Sequence, residues 1–257
     1  MFTISKIWFF LILSMTLAAC GAQNCPPQCA GVDLRDHSGP DAAWVGVDLS
    51  GANLEGVDWG RALPPGIDLR DAQLSNANLK EANLHNADLS GADLRGANLI
   101  GADLRGVWLR DTVIDDTTQI DEKWRLVWEL VNEGGAAQDL RGADLRGANL
   151  WGVDLRNANL REARLDWANL QQADLAGANL QKAQVNWADV RQANLAQANL
   201  TEAGLKWADF RLATLTNVNL TRADARGAWF TQAAIEGINL EQSWLNGAIM
   251  PDGTRFQ

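Results

Sequence analysis

Tyrosine is absent from this chain of 257 residues, and cysteine and histidine are scarce, at three and two residues. Each shortage removes a class of chemistry. His37 and His85 have no serine, cysteine or metal-ligating cluster around them in sequence, so no nucleophilic dyad or metal site is read from them. Cys25 and Cys29 form a single CxxxC pair, too few ligands for a closed zinc site. There is no glycine-rich phosphate loop and no basic patch interleaved with aromatics. A net charge of −10 argues further against direct binding of nucleic acid or anionic lipid, either of which needs a basic face. The carboxylates behind that charge recur at a regular spacing, which reads as solvated surface rather than paired acid/base groups. The expectation is a protein that is not an enzyme, with no catalytic residues, no metal and no cofactor.

Long apolar runs are also lacking, with one exception at the start. Lys6 precedes the mostly apolar stretch Ile7 to Leu17, which is too short to span a bilayer comfortably, since about 20 apolar residues are needed. It ends in Leu17-Ala18-Ala19-Cys20, which resembles the lipobox of bacterial lipoproteins. That resemblance implies a signal peptide over 1–19, lipidation of Cys20 and an exported protein anchored to the membrane through that residue. Gly21 follows, rather than the Asp that retains such proteins at the inner membrane. In a two-membrane bacterium this points to the periplasmic face of the outer membrane. Residues 20–44 contain Pro26-Pro27 and an isolated Val32-Asp33-Leu34, and read as a tether. Within it Cys25 and Cys29 can close a small disulfide loop in an oxidising compartment; the alternative is two free thiols.

What the chain has in abundance is a five-residue beat. From Leu140 to Met250 every fifth residue is apolar, and of these 23 positions 16 are Leu. Two residues before each stands, in 18 of the 23, the small residue Ala. A period of five fits neither a helix at 3.6 nor a strand at 2, so the unit is one step of a solenoid. A first block runs over 45–114 with its central residues at numbers ending in 4 or 9, and a second over 140–250. Leu140 lies 26 positions after Ile114, so the two blocks are separately phased.

Between them, 115–139 reads as a helical insertion. Ile120, Trp124, Val127, Trp128 and Val131 make an amphipathic stripe over 119–133, with Thr118-x-x-Asp121 as a capping box and Gly134-Gly135 as a stop. A helix so short needs something to pack on. Residues 251–257 read as a closing turn and tail that protect the last open edge.

Ala87-Asp88-Leu89-Ser90-Gly91 and Ala168-Asn169-Leu170-Gln171-Gln172 resemble the A(D/N)LXX unit of pentapeptide repeat proteins. The resemblance covers roughly 45–250 and implies an all-β fold, a right-handed quadrilateral β-helix with four pentapeptides to a coil. The central residue and the small residue two before it then point inward, so Ala173 faces in and Gln171 out. Trp167, Trp187 and Trp207 lie 20 apart at one place in the unit, which predicts an outer ladder of indoles; Phe210 and Phe230 predict an inner pair.

The Trp ladder is the candidate binding surface, able to grip a sugar ring, an aliphatic group or a cation. The plainer reading is that the indoles stack on one another and stiffen the wall. Trp229 and Trp244 stand where Asp or Asn is usual and extend the aromatic character, while Arg141, Arg146, Arg156 and Arg161 are expected to pair with neighbouring Asp. The resulting expectation is a lipid-anchored scaffold or binding protein of the bacterial envelope, with an envelope protein or glycan as partner. A second expectation follows from acidic family members that mimic DNA and protect a topoisomerase.

Overall fold

The computed structural model describes residues 29–35, 44, 47–60 and 63–257. The signal-peptide, Cys20 and Cys25 readings lie outside the described residues. The chain divides into two compact units, the first ending at Asp121 and the second running Glu122–Gln257. Each is a right-handed quadrilateral β-helix in which residues 20 apart pair in parallel, as in Asn159↔Asn179 and Asn179↔Asn199.

One pentapeptide, Ala178 to Lys182, shows why the unit has five residues. Ala178 N–H closes a tight turn onto Leu175 O at 3.0 Å, and Asn179 N–H donates to Ala158 O at 2.9 Å in the coil before. Leu180 and Lys182 donate forward, to Asn199 O at 2.7 Å and Thr201 O at 3.0 Å. The fifth amide, Gln181 N–H, donates to the Asn179 side-chain Oδ1 at 3.1 Å. Every N–H of the unit therefore has a partner, as a tightly coiled backbone requires. The Asp or Asn of the repeat is the cap that completes the set.

The core follows the beat. Ala173, Leu175, Ala178 and Leu180 are fully buried, and Phe210 and Phe230 stack inside with centroids 5.2 Å apart. Each buried Leu contributes roughly 1.5–3 kcal/mol. Ala recurs because extra methylenes in so narrow a tube cost about 1–3 kcal/mol. The second corner residue lies in the left-handed region throughout, for example Lys182 and Gln192 at φ 60°.

The structure departs from the expected boundaries in four places. First, the coil begins inside the expected tether. Cys29 N–H bonds Asp48 O at 2.8 Å, Asp33 pairs with Asn53, and Cys29 and Leu34 are buried. Cys29 occupies a core position, in step with Leu34 and Leu49, and is disulfide-bonded. Second, the first unit runs past Ile114. One extra residue is absorbed at Asp115, and Gln119 then pairs with Asn98. The Asp115 carboxylate fills the gap by accepting from Gly96 N–H at 3.2 Å and Thr117 N–H at 2.9 Å.

Third, the helix α1 spans Glu122–Asn132, narrower than the expected insertion. Thr118 is not its cap. It sits four residues ahead, buried, with its hydroxyl on Leu94 O at 3.0 Å. The stop does hold: Gly134 takes φ +83°, open to glycine without a Cβ clash. Fourth, the second unit begins before Leu140. Gly135 N–H already bonds Asp154 O at 2.8 Å in a position that Leu takes elsewhere. A Cβ on Gly135 would lie 2.6 Å from Leu130 Cδ2 and 2.7 Å from Leu155 Cδ2. Leu130 of α1 therefore fills the core space that this pentapeptide leaves empty, and the apolar face of α1 closes the end of the second unit. Lys123 secures it, donating to Arg146 O at 2.7 Å.

At the other end residues 254–256 fold back antiparallel, with Met250 N–H on Thr254 O and Phe256 N–H on Ala248 O, both at 2.8 Å.

Candidate functional site

Trp167, Trp187 and Trp207 form the ladder that their spacing predicts. Trp167 and Trp187 stack with centroids 5.2 Å apart and planes 3° from parallel, and Trp187 and Trp207 at 5.4 Å and 15°. All three remain exposed, Trp167 most at 65%. Each occupies the left-handed second corner, at φ 60–64°. That conformation costs a residue with a Cβ about 1–2 kcal/mol, so tryptophan is there despite the backbone. The ladder ends on Gly227, where a Cβ would sit 2.6 Å from Trp207 Cε3, so the last indole lies directly on bare backbone.

The face beside this ladder breaks the repeat. Where Asp or Asn is usual, three successive coils carry Arg164, Gln184 and Gly204, which lie in one column by the pairings Arg164↔Gln184 and Gln184↔Gly204. The local cap is thereby lost, and the corner amides find another partner. Asn186 N–H and its side-chain Nδ2 donate to Asp166 Oδ1 at 3.3 and 2.8 Å, and Lys206 N–H donates to Asn186 Oδ1 at 3.0 Å. The caps here run between coils instead of within a pentapeptide.

The missing side chain at Gly204 leaves a shallow basin of about 480 Å³ on this face. Trp167, Trp187 and Trp244 give it aromatic surface, and Gln184, Asn186 and Lys206 give it polar groups. Lys206 Nζ lies 3.2 Å from Asp224 Oδ2. Arg226, and after it Lys206, hold the Asp224 carboxyl below its usual range. The sequence reading names Trp167, Trp187 and Trp244 of this lining but misses Gln184 and Gly204. Their signal is visible only when the chain is written in rows of 20. Trp229 does not join this surface; it pairs with Asp209 in another column, with Arg211 Cζ 4.9 Å over its ring.

Elsewhere along the coils the charges are arranged as ion pairs. Arg141, Arg146 and Arg156 reach back two residues to Asp139, Asp144 and Asp154 at 2.6–2.8 Å, as expected. Arg161 differs: its neighbour at the same place is Asn159, and it bonds Glu162 at 3.3 Å. Through these bonds the aspartates titrate low; for Asp144 the Arg146 hydrogen bond is the largest cause. Among the described residues no group of His, Cys, Asp or Glu is placed to hold a metal ion, and no helix is long and apolar enough to cross a membrane.

A family model for pentapeptide repeats matches eight copies, over residues 67–106, 139–177, 178–217 and 198–237. A search of curated proteins finds no match. Among solved structures, the chain is similar to HetL, a pentapeptide repeat protein involved in heterocyst differentiation regulation from the cyanobacterium Nostoc. The identity is 28%, the coverage 95% of this chain and 98% of that one, and the TM-score 0.23. It is also similar to a pentapeptide repeat protein of the Arabidopsis thaliana thylakoid lumen, at 32% identity, 44% and 66% coverage and TM-score 0.27. A third is QnrB1, a plasmid-mediated fluoroquinolone resistance protein, at 16% identity, 74% and 90% coverage and TM-score 0.28. With the family model matching more than half of its length, this chain belongs to the pentapeptide repeat family.

Proposed function

We propose that this protein is a non-enzymatic binding scaffold, lipid-anchored through Cys20 in the bacterial envelope, that presents the Trp167–Trp187–Trp207 face to its partner. The observation that carries the binding surface is the coincidence of two departures from the repeat. The ladder of exposed indoles and the column lacking Asp or Asn stand on the same face of the same coils. Support for the anchor is the apolar stretch ending in Leu17-Ala18-Ala19-Cys20. Several acyl chains on Cys20, each methylene worth about 0.8 kcal/mol in the bilayer, make a lasting attachment. Metabolic labelling with a tagged fatty acid tests it. The expected result is label on the wild type that is lost in Cys20→Ala, with the protein in the membrane fraction. An unlabelled cytosolic protein overturns it.

A second reading, an acidic protein that mimics DNA and protects a topoisomerase, draws support from the net charge of −10. Against it stand the Asp-x-Arg pairs such as Asp68–Arg70 and Asp189–Arg191, both at 2.6 Å, which break up a continuous negative surface. Protection of gyrase from a quinolone by the purified protein would restore this reading.

A further inference from the structure

We infer that the basin over Gly204 is a carbohydrate site that takes a short run of pyranose rings. This rests on the reading of the Trp face as the binding surface, and narrows it to a ligand class.

Three features of the basin select that class. It is open and elongated, running from Gln184 to Trp244 over three coil steps, about 14 Å at the strand spacing. It carries indole surface at its flank in Trp167 and Trp187 and at its end in Trp244. Trp187 is sandwiched between its neighbours, but among the described residues Trp167 has a stacked partner on one face alone. The coil before it carries Gly147 in that rung, with no side chain to cover the other face. An indole presented this way suits the C–H face of a sugar. Third, its polar groups are already oriented. The side chains of Asp166, Gln184 and Asn186 are tied together by hydrogen bonds, and the Lys206 ammonium is held by Asp224, so they mix donors and acceptors at little further ordering cost.

Other ligand classes fit less well. A phosphate-bearing ligand needs cations turned toward it, yet Lys206 is engaged with Asp224 and Arg222 Nε donates to Gln242 Oε1 at 2.8 Å. Asp166, Glu202 and Asp224 in the lining would repel it. An apolar peptide segment would strand these same charges out of water. A neutral polyol satisfies them.

Gly204 provides a test that separates binding from folding. Its φ is ordinary, and the atoms nearest a Cβ there are the side-chain ends of Gln184 and Asn186, at 2.8–3.3 Å, rather than backbone. Gly204→Asn therefore restores the residue type of the repeat and fills the basin while the coil stays intact. The purified full chain is titrated with chitotetraose and with cellotetraose, read by tryptophan fluorescence. Expected is saturable binding of at least one sugar with Kd below about 1 mM. Affinity falls about tenfold or more in Gly204→Asn and in Trp244→Ala, with the melting temperature of wild type retained in at least one of them. No saturable change with either sugar overturns the inference, as does undiminished affinity in a folded variant. Neither result bears on the fatty-acid label at Cys20, so the anchor and the sugar site stand or fall separately.

Discussion

On the face centred on Leu180 and Leu200, the Asn before each Leu holds the corner amide two residues on, within its own pentapeptide. On the face centred on Leu165, Val185 and Leu205, the corner amides at 186 and 206 are held by side chains of the coil before. Both solutions satisfy the backbone, but they leave different surfaces. The local cap commits the outward position to Asp or Asn at every coil. The inter-coil cap releases it, and Gln184 and Gly204 are what stands there. At Gln184 and Gly204 the solenoid thus changes its surface where it has a second way to bond its fifth amide.

The comparison predicts how the molecule fails, and the largest effect is acid. Asp68, Asp93, Asp103, Asp139, Asp144 and Asp154 all titrate below the ordinary 3.8 because the Arg two residues on bonds their charged form. Asp115, bonded first by the Thr117 hydroxyl, is lowered to about 2. A depressed folded pKa contributes stability that is complete above 3.8 and lost as pH falls through the folded values. Thermal melts followed by circular dichroism should hold steady down to pH 4 and drop steeply from there toward pH 2. A flat profile would mean that the Asp caps contribute nothing.

Next in size is overpacking. Gly135→Leu makes the sequence a better repeat, yet Leu130 already occupies the space. It should destabilise the second unit by about 1–3 kcal/mol in urea, like Ala173→Leu in the core. Gln171→Leu, on the outside, gives up one bond to Asp189 Oδ2 at 2.6 Å and should cost about 1 kcal/mol or less. If Gly135→Leu is neutral, α1 does not fill the end of the unit.

The smallest effect distinguishes the two faces. Asn179→Ala removes a local cap and should cost about 0.5–1.5 kcal/mol. Gln184→Ala, at the equivalent place on the Trp face, should cost under about 0.5 kcal/mol, because the nearby corner amide is bonded elsewhere. Equal losses in the two variants would erase the distinction.

Much of this was legible in the sequence, for a physical reason. With one small and one large apolar residue per five, burial follows position directly, and Leu175, Ala178 and Leu180 are buried as the beat implies. The Trp ladder was legible because a 20-residue coil places like residues one above another. What escaped were places where one residue substitutes for another's job. Cys29 fills a Leu position ahead of the recognisable repeats. The Asp115 carboxylate replaces a backbone carbonyl where the phase slips. Leu130 of a helix completes a pentapeptide that has only Gly135 to offer. The basin escaped because it is made by a side chain that is missing, and a missing side chain is informative only against its neighbours one coil away.

The most direct test of the two-cap account is native-state hydrogen exchange by NMR on Asn186→Ala beside wild type. The account predicts that the Lys206 amide, held by Asn186 Oδ1, loses protection selectively. The amides of Ala196 and Thr201, capped by Asn194 and Asn199 within their own pentapeptides, keep theirs. A Lys206 amide as protected in the variant as in wild type would contradict it.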